Sequence, residues 1–226
     1  MEVKLSRAMY DLALLFSLAL AACGLGDSPD ILGLDVSHHQ LPLDWRAAKA
    51  QGIRFTYIKA TEGTDWIDPA YRGHQKGARA QGIVVGAYHF FTFCSDPGSQ
   101  AAHFLSTLDL RPGDLVPAVD VEQGGNCDRE MDPRTMRGDV GIFTDIVARA
   151  IGREPIVYTT QGFYWRNFRG GFGNSPLWIR NVVWSPIASG HWSIWQYGVW
   201  GINGAEGRVD RNVLRGGETE FARLRY

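Results

Sequence analysis

From residue 31 onward the chain alternates between short apolar runs and longer stretches with helical spacing. Ile31-Leu32-Gly33-Leu34-Asp35-Val36 is an apolar run of strand length that ends at a carboxylate. The stretch from Asp44 to Gly52 predicts a helix, which Asp44 can cap and Gly52 can end. Ile53 to Ala60 alternates like a strand, and a second helix is expected from Asp68-Pro69 to Gln81-Gly82, with Pro69 in its first turn. Ile83 to Phe90 is the next strand. Asp96-Pro97 opens a helix to Leu108, Leu115 to Glu122 is a strand, Asp132-Pro133 opens a helix to Ile151, and Pro155 to Thr159 is a strand. Leu177 to Ile179, Trp192 to Tyr197 and Val209 to Val213 read as three more. The tetrapeptide Ala-Gln-Gly-Ile begins at Ala50 and again at Ala80, each time as helix end, stop and strand start. That repeat distance is the length of one βα unit.

Alternating β and α with no second compositional regime predicts one α/β domain. The expected architecture is a single irregular, flattened (β/α) barrel of the TIM type, with helices sparse in its second half. The N-terminus follows a different pattern. Lys4 and Arg7 precede the apolar run Leu12 to Leu20, too short for a permanent membrane span, and the run ends in Leu20-Ala21-Ala22-Cys23. This exit looks like a bacterial lipobox, in which cleavage before the cysteine leaves it to carry lipid. The expected organisation is a lipoprotein-type signal peptide over 1–22, a lipidated Cys23 with a short tether over 23–30, and a catalytic domain over 31–226. The protein is then exported and held by its lipid at a membrane of the bacterial envelope. Two further cysteines, Cys94 and Cys127, form an even pair in an exported domain and are expected to be bridged.

Composition narrows the partners. A net charge of −1 over 226 residues leaves no basic footprint for nucleic acid. Eight Trp and eight Tyr are many for this length, and such a surplus suits a cleft that stacks on sugar rings as well as a core.

The carboxylates divide into two groups. Asp44, Asp68 and Asp132 stand before helices, where capping explains them. Asp35, Asp120, Glu122 and Asp210 fall instead at the carboxyl ends of strand candidates, where barrels carry their chemistry. Asp120 and Glu122 are two residues apart in an apolar strand, so they share a face and a pocket. Like charges so close raise a pKa, leaving one acid protonated and the other ionised. Glycoside hydrolysis needs such a pair: an acid for the leaving oxygen and a second carboxylate for the anomeric centre. The other reading of the pair is two solvated loop residues beyond a strand that ends at Asp120. His38 and His39 with Asp35 and His89 suggest a metal site at first sight, but adjacent histidines on an extended strand face opposite ways. Thr61-Glu62-Gly63-Thr64 reads equally as a loop that hydrogen-bonds a ligand or as a solvated turn whose carboxylate faces Lys59.

Several segments together resemble the family-25 glycoside hydrolases, the CH-type lysozymes. They are Gly33 to Gln40, Tyr57 to Gly63, Gly86 to Phe91, Ala118 to Glu122, Pro155 to Thr159, Leu177 to Ile179, Trp195 to Tyr197 and Val209 to Asn212. The resemblance spans about residues 31 to 215, and its specificity lies in the joint order and spacing of these motifs. It implies an N-acetylmuramidase that cuts the β-1,4 bond between N-acetylmuramic acid and N-acetylglucosamine without metal or cofactor. By position, Glu122 matches the general acid. Asp120 matches the carboxylate that assists the substrate's 2-acetamido group or stabilises the oxocarbenium-like centre. Asp35 and Asp210 match two further acids of the cleft floor, and Tyr88, Tyr158, Trp178 and Gln196 match positions lining the sugar subsites. After Trp178 the sequence leaves the family pattern with Arg180-Asn181-Val182-Val183-Trp184. The expected partners are the peptidoglycan strand and, through Cys23, a membrane, with the protein a monomer. Two other functions are weighed against this one. A non-catalytic peptidoglycan-binding lipoprotein need not keep both Asp120 and Glu122, and a metal-dependent glycan deacetylase would be sensitive to chelators.

Overall fold

Strand boundaries follow from where the apolar alternation stops and where backbone groups find partners. A computed structural model describes residues 30–123, 127, 131–188 and 192–226. The expected signal peptide, Cys23 and most of the tether lie outside the described residues. In chain order the elements are β1 (Ile31–Val36), α1 (Trp45–Ala50), β2 (Phe55–Glu62), β3 (Trp66–Ile67), α2 (Tyr71–Ala80), β4 (Val84–Phe90), α3 (Pro97–Thr107), β5 (Ala118–Asp120) and α4 (Pro133–Ile151). They continue with β6 (Ile156–Thr160), α5 (Gln161–Asn167), β7 (Leu177–Arg180), β8 (Trp192–Trp200), β9 (Val209–Leu214) and α6 (Gly217–Arg223).

The sheet order is β1-β9-β8-β7-β6-β5-β4-β2-β3, and β1 also pairs with β2. Eight strands therefore close into a barrel, and β3 hangs on β2 as a two-residue antiparallel extension. Every barrel pairing is parallel except those of β9, which runs against both β8 and β1. Its direction follows from its connection: residues 201–208 are too few for a crossover, so β8 and β9 form a hairpin.

Side chains alternate inward and outward around this barrel. The outward set, including Leu34, Ile58, Val85, Val119, Val157 and Ile179, packs against Phe104 of α3 and Phe143 of α4 in one buried cluster. The inward set is a second cluster, with Phe55, Tyr57, Tyr158, Trp178 and Ile194. Gly33 and Gly86 belong to this interior. A Cβ on Gly33 would lie 2.3 Å from the Phe55 ring, and one on Gly86 would lie 2.4 Å from the Tyr57 ring. Bare backbone at these two positions is what admits the rings. Phe221 and Leu224, in and just after α6, join the same cluster, and Val116 N–H donates to Leu224 O. The C-terminal helix thus closes the barrel at the amino ends of its strands.

Three details depart from the sequence reading. The strand expected over 115–122 is a ladder only over Ala118–Asp120. Pro117 has no N–H for a ladder, while Leu115 bridges to Arg225 and Val116 bonds Leu224, so that stretch is committed to the C-terminal plug. Asp68 does not cap α2. Its Oδ1 accepts from Ala70 N–H at 2.8 Å, and its Oδ2 accepts from His38 N–H at 3.0 Å and lies 2.9 Å from His38 Nδ1. Two short helices, α5 and α6, had no apolar periodicity long enough to announce them. Asp44, Asp96 and Asp132 cap α1, α3 and α4 through their carboxylates.

Candidate active site

The inward rows change character from one end of the barrel to the other. Near the plug they are aliphatic and aromatic. At the mouth, formed by the carboxyl ends of the parallel strands and the amino end of antiparallel β9, polar groups enter: Asp35 on β1, Lys59 on β2, Tyr88 beside the apolar Phe90 on β4, Asp120 on β5, Tyr158 and Thr160 on β6, Arg180 on β7, Gln196 on β8, and Asp210, which is not at a carboxyl end as the sequence suggested but is the second residue of β9. Together with Glu122, two residues beyond Asp120, these side chains line a cleft of about 700 Å³. The same-face argument for Asp120 and Glu122 survives the shortened strand. Backbone bonding continues past the ladder, with Val121 N–H donating to Tyr158 O at 2.9 Å and Phe91 N–H to Asp120 O at 3.0 Å.

The floor is a hydrogen-bonded tier. Trp178 Nε1–H donates to Asn212 Oδ1 at 2.8 Å, and Tyr158 O–H donates to Gln196 Oε1 at 3.1 Å. These donors fix the orientation of both amides, whose nitrogens are then aimed at Asp35. Asn212 Nδ2 and Gln196 Nε2 both donate to Asp35 Oδ2, at 2.7 and 2.9 Å. Trp178 is only 2% exposed, and its ring sits 4.9 Å from that of Tyr57 and 4.8 Å from that of Tyr158. Trp178 and Tyr158 are therefore the base of the cleft, while Tyr88 and Phe90, both half-buried, stand in its wall.

Setting acids on an aromatic floor has an electrostatic consequence. Burial raises the Asp35 pKa to about 7, reinforced by the negative charge of Asp210 and opposed by the Asn212 and Gln196 donors. Asp120 is pushed well above the usual carboxylate range by burial, then by the charges of Glu122 and Asp35. Its Oδ1 is buried without a hydrogen-bond partner. Glu122 and Asp210 are raised too, again chiefly by burial, and the Arg180 guanidinium pulls both back toward ionisation. All four acids of the cleft are thus shifted toward the protonated form, the direction that proton transfer to a leaving group needs.

The histidines behave differently. His38 and His39 lie in a 3₁₀ turn, not a strand, and His38 is tied to Asp68. His89 faces away from the cleft, between Thr61 Oγ1 at 2.8 Å and Gln100 Oε1 at 3.1 Å. Burial drives its pKa down to about 3, so it is a neutral member of the outer core. Glu62 faces Lys59, at 2.7 Å. Cys94 and Cys127 form a disulfide with their Cα atoms 5.4 Å apart, joining the segments that follow β4 and β5.

Sequence reasoning had not singled out Asn212, Lys59, Phe90, Thr160 or Arg180 as parts of the site. A period-two signal existed for four of them: Asn212 is two residues from Asp210, Arg180 two from Trp178, Thr160 two from Tyr158, and Phe90 two from Tyr88.

A closed β/α barrel with carboxylates grouped at one mouth, their pKa values raised by burial, is an arrangement suited to a sugar-cleaving hydrolase. The chain belongs to the glycosyl hydrolases family 25, whose family model matches residues 34–202, and it is a glycoside hydrolase. It is 35% identical over 199 residues to the uncharacterised protein YegX of Escherichia coli O157:H7, covering 84% of this chain and 72% of that protein. It is 32% identical over 217 residues to lysozyme M1 of Streptomyces globisporus, covering 89% of this chain and 73% of the relative. Its fold matches the structure of a family 25 glycosyl hydrolase from Bacillus anthracis with a TM-score of 0.81 at 31% identity, over 87% of this chain and 94% of that one.

Proposed function

We propose that the protein is a lysozyme, an N-acetylmuramidase that hydrolyses the β-1,4 bond between N-acetylmuramic acid and N-acetylglucosamine in peptidoglycan. The observation that carries this reading is the convergence of Asp35, Asp120, Glu122 and Asp210 on one cleft of a family 25 chain. In this reading Glu122 is the general acid. Burial raises its pKa while it remains half-exposed to the cleft, a setting that suits it to deliver a proton to the leaving oxygen. Asp120 carries an oxygen with no hydrogen-bond partner among the described residues, and the 2-acetamido N–H of the substrate supplies one. Accepting that N–H favours the ionised form of Asp120, which burial in the free protein disfavours, turns the acetamido oxygen toward the anomeric carbon, and lets the carboxylate offset the positive charge that grows there. Asp35 and Asp210 shape the field of the cleft. Tyr88, Tyr158, Trp178 and Gln196 form its base and wall against the sugar.

Retention of both Asp120 and Glu122 favours turnover over a binding-only lipoprotein. The deacetylase reading is weakened because His89 faces away from the cleft and does not join His38, His39 and Asp35. Lipid anchoring at Cys23 is part of the proposal and rests on the Leu20-Ala21-Ala22-Cys23 sequence. No helix among the described residues is long and apolar enough to cross a membrane.

The test of the activity is mass spectrometry of purified peptidoglycan after digestion. New reducing ends on N-acetylmuramic acid are expected. Reducing ends on N-acetylglucosamine, or intact strands that nevertheless retain the protein, would overturn the reading.

A further inference from the structure

Two cations line the described part of the cleft, Lys59 and Arg180, and their surroundings differ. Lys59 Nζ is 2.7 Å from Glu62 Oε2 and lies 5.0 and 4.8 Å from the ring centres of Trp66 and Phe90. Its charge is already satisfied by the protein. Arg180, the last residue of β7, is half-buried, and its guanidinium has no hydrogen bond or ion pair with any described residue. It shares the inward face of β7 with Trp178 and sits level with Gln196, its partner in the ladder. The nearby acids feel its charge without taking its donors. A planar fork of N–H groups therefore opens into the space the substrate fills, and its best-matched partner is a carboxylate.

The chemistry of the substrate supplies that partner at one place. Of the two sugars in the strand, only the muramoyl residue carries an acidic arm, the 3-O-lactyl group. Its carboxylate is free where the stem peptide has been removed. Where the stem is present the lactyl group is an amide, and the stem brings carboxylates of its own. We infer that Arg180 is a specificity-determining residue that binds a carboxylate on the lactyl arm of the muramoyl residue held in the cleft. This inference rests on the muramidase reading. It also gives a role to the departure from the family pattern that begins after Trp178.

The test compares three substrates: a peptide-free muramoyl oligosaccharide, its lactyl methyl ester, and the same oligosaccharide bearing the stem. Wild type, Arg180→Gln and Arg180→Lys are assayed on each. Wild type should prefer the acid to the ester by about 10–100-fold in kcat/KM, the usual range for a charge-assisted hydrogen bond. Arg180→Gln should bring that ratio close to unity, and Arg180→Lys should keep part of it, since a point charge remains without the fork. The acid-to-ester ratio is taken within one protein, so any general effect of the substitution on folding or on Glu122 cancels. Dependence on Arg180 for the stem-bearing substrate alone would assign the contact to a stem carboxylate and still support the inference. An acid-to-ester ratio that is the same in wild type and Arg180→Gln, with no Arg180 dependence on the stem-bearing substrate, would overturn it while leaving the muramidase reading intact. If wild type cuts none of the three, both readings fall.

Discussion

Asp35 and Asp120 lie in similar burial but are held in opposite ways. Asp35 Oδ2 accepts from two amides whose orientation is fixed from below, whereas Asp120 Oδ1 has no partner. An acid locked by protein donors is a fixed feature of the site, and one left unpartnered is available to substrate. This difference, with the half-exposed Glu122, sets the division of labour. Glu122→Gln removes the proton donor and should lower kcat by about 10²–10⁴-fold while the domain still folds and binds glycan. Asp120→Asn should be comparably severe because it removes charge at the developing cation. A substrate with a very good leaving group needs little acid assistance, so it should rescue Glu122→Gln in part and Asp120→Asn far less. Equal rescue of the two would show that the roles are misassigned. Asp35 also makes a prediction about stability. Its pKa is about 7 in the fold against an ordinary 3.8. Below the ordinary value both folded and unfolded states are protonated and nothing is lost. As pH rises toward 7 the unfolded chain ionises first, and above it the native state carries a buried charge, at a cost on the order of 4 kcal/mol. Stability should therefore fall between about pH 4 and pH 7, and Asp35→Asn should flatten that fall. Urea midpoints at the two pH values check this, and equal slopes for wild type and variant would contradict it.

At the scale of elements, the site depends on where strands end. The β5 ladder begins only at Ala118 because the preceding residues serve the C-terminal plug, and it ends at Asp120, two residues before Glu122. The disulfide fastens that region, tying the segment after β5 to the segment after β4. Its loop spans a sequence separation of 33, for which the chain-entropy model gives about 3–4 kcal/mol of stabilisation. Cys94→Ser with Cys127→Ser should lower the unfolding free energy by about that amount, less any relief of native strain. It should also reduce activity more than its effect on global stability alone requires, because Glu122 loses a tether. Activity unchanged at a temperature where both proteins are folded would mean that the bridge serves stability alone. β9 shows an element whose direction, opposite to its neighbours, brings Asp210 and Asn212 to the same mouth as the parallel strands.

For the whole molecule, the barrel is a closed vessel with an aromatic filling, plugged at one end by α6 and open at the other as a carboxylate cleft. Under the proposed cleavage before Cys23, residues 23–30 would reach at most about 26–29 Å at roughly 3.3–3.6 Å each, which would confine the cleft to glycan close to the proposed anchoring membrane. Labelled fatty acid should enter the full-length protein and not the Cys23→Ala variant, and the variant should partition into the soluble exported fraction. Equal labelling of both would remove the anchor from the proposal.

The sequence by itself determined the succession of barrel strands and first-half helices, the capping roles of Asp44 and Asp132, and the presence of four acids near strand ends. These are local matters: alternation, capping chemistry and spacing within a few residues decide them. It also placed Asp120 and Glu122 on one face, because a period of two needs no knowledge of the rest of the chain. Only the tertiary structure decided that β9 runs antiparallel, that Asp68 binds His38 instead of capping a helix, and that His89 belongs to the outer core. It alone set Asn212 and Gln196 against Asp35, across sequence separations of 177 and 161 residues. Closing a barrel brings the first strand beside the last, and partners so distant in sequence leave no periodic trace along the chain. The guanidinium of Arg180, without a hydrogen bond or ion pair among the described residues, is of the same kind: what stands across the cleft from it is fixed only when the ring of strands closes.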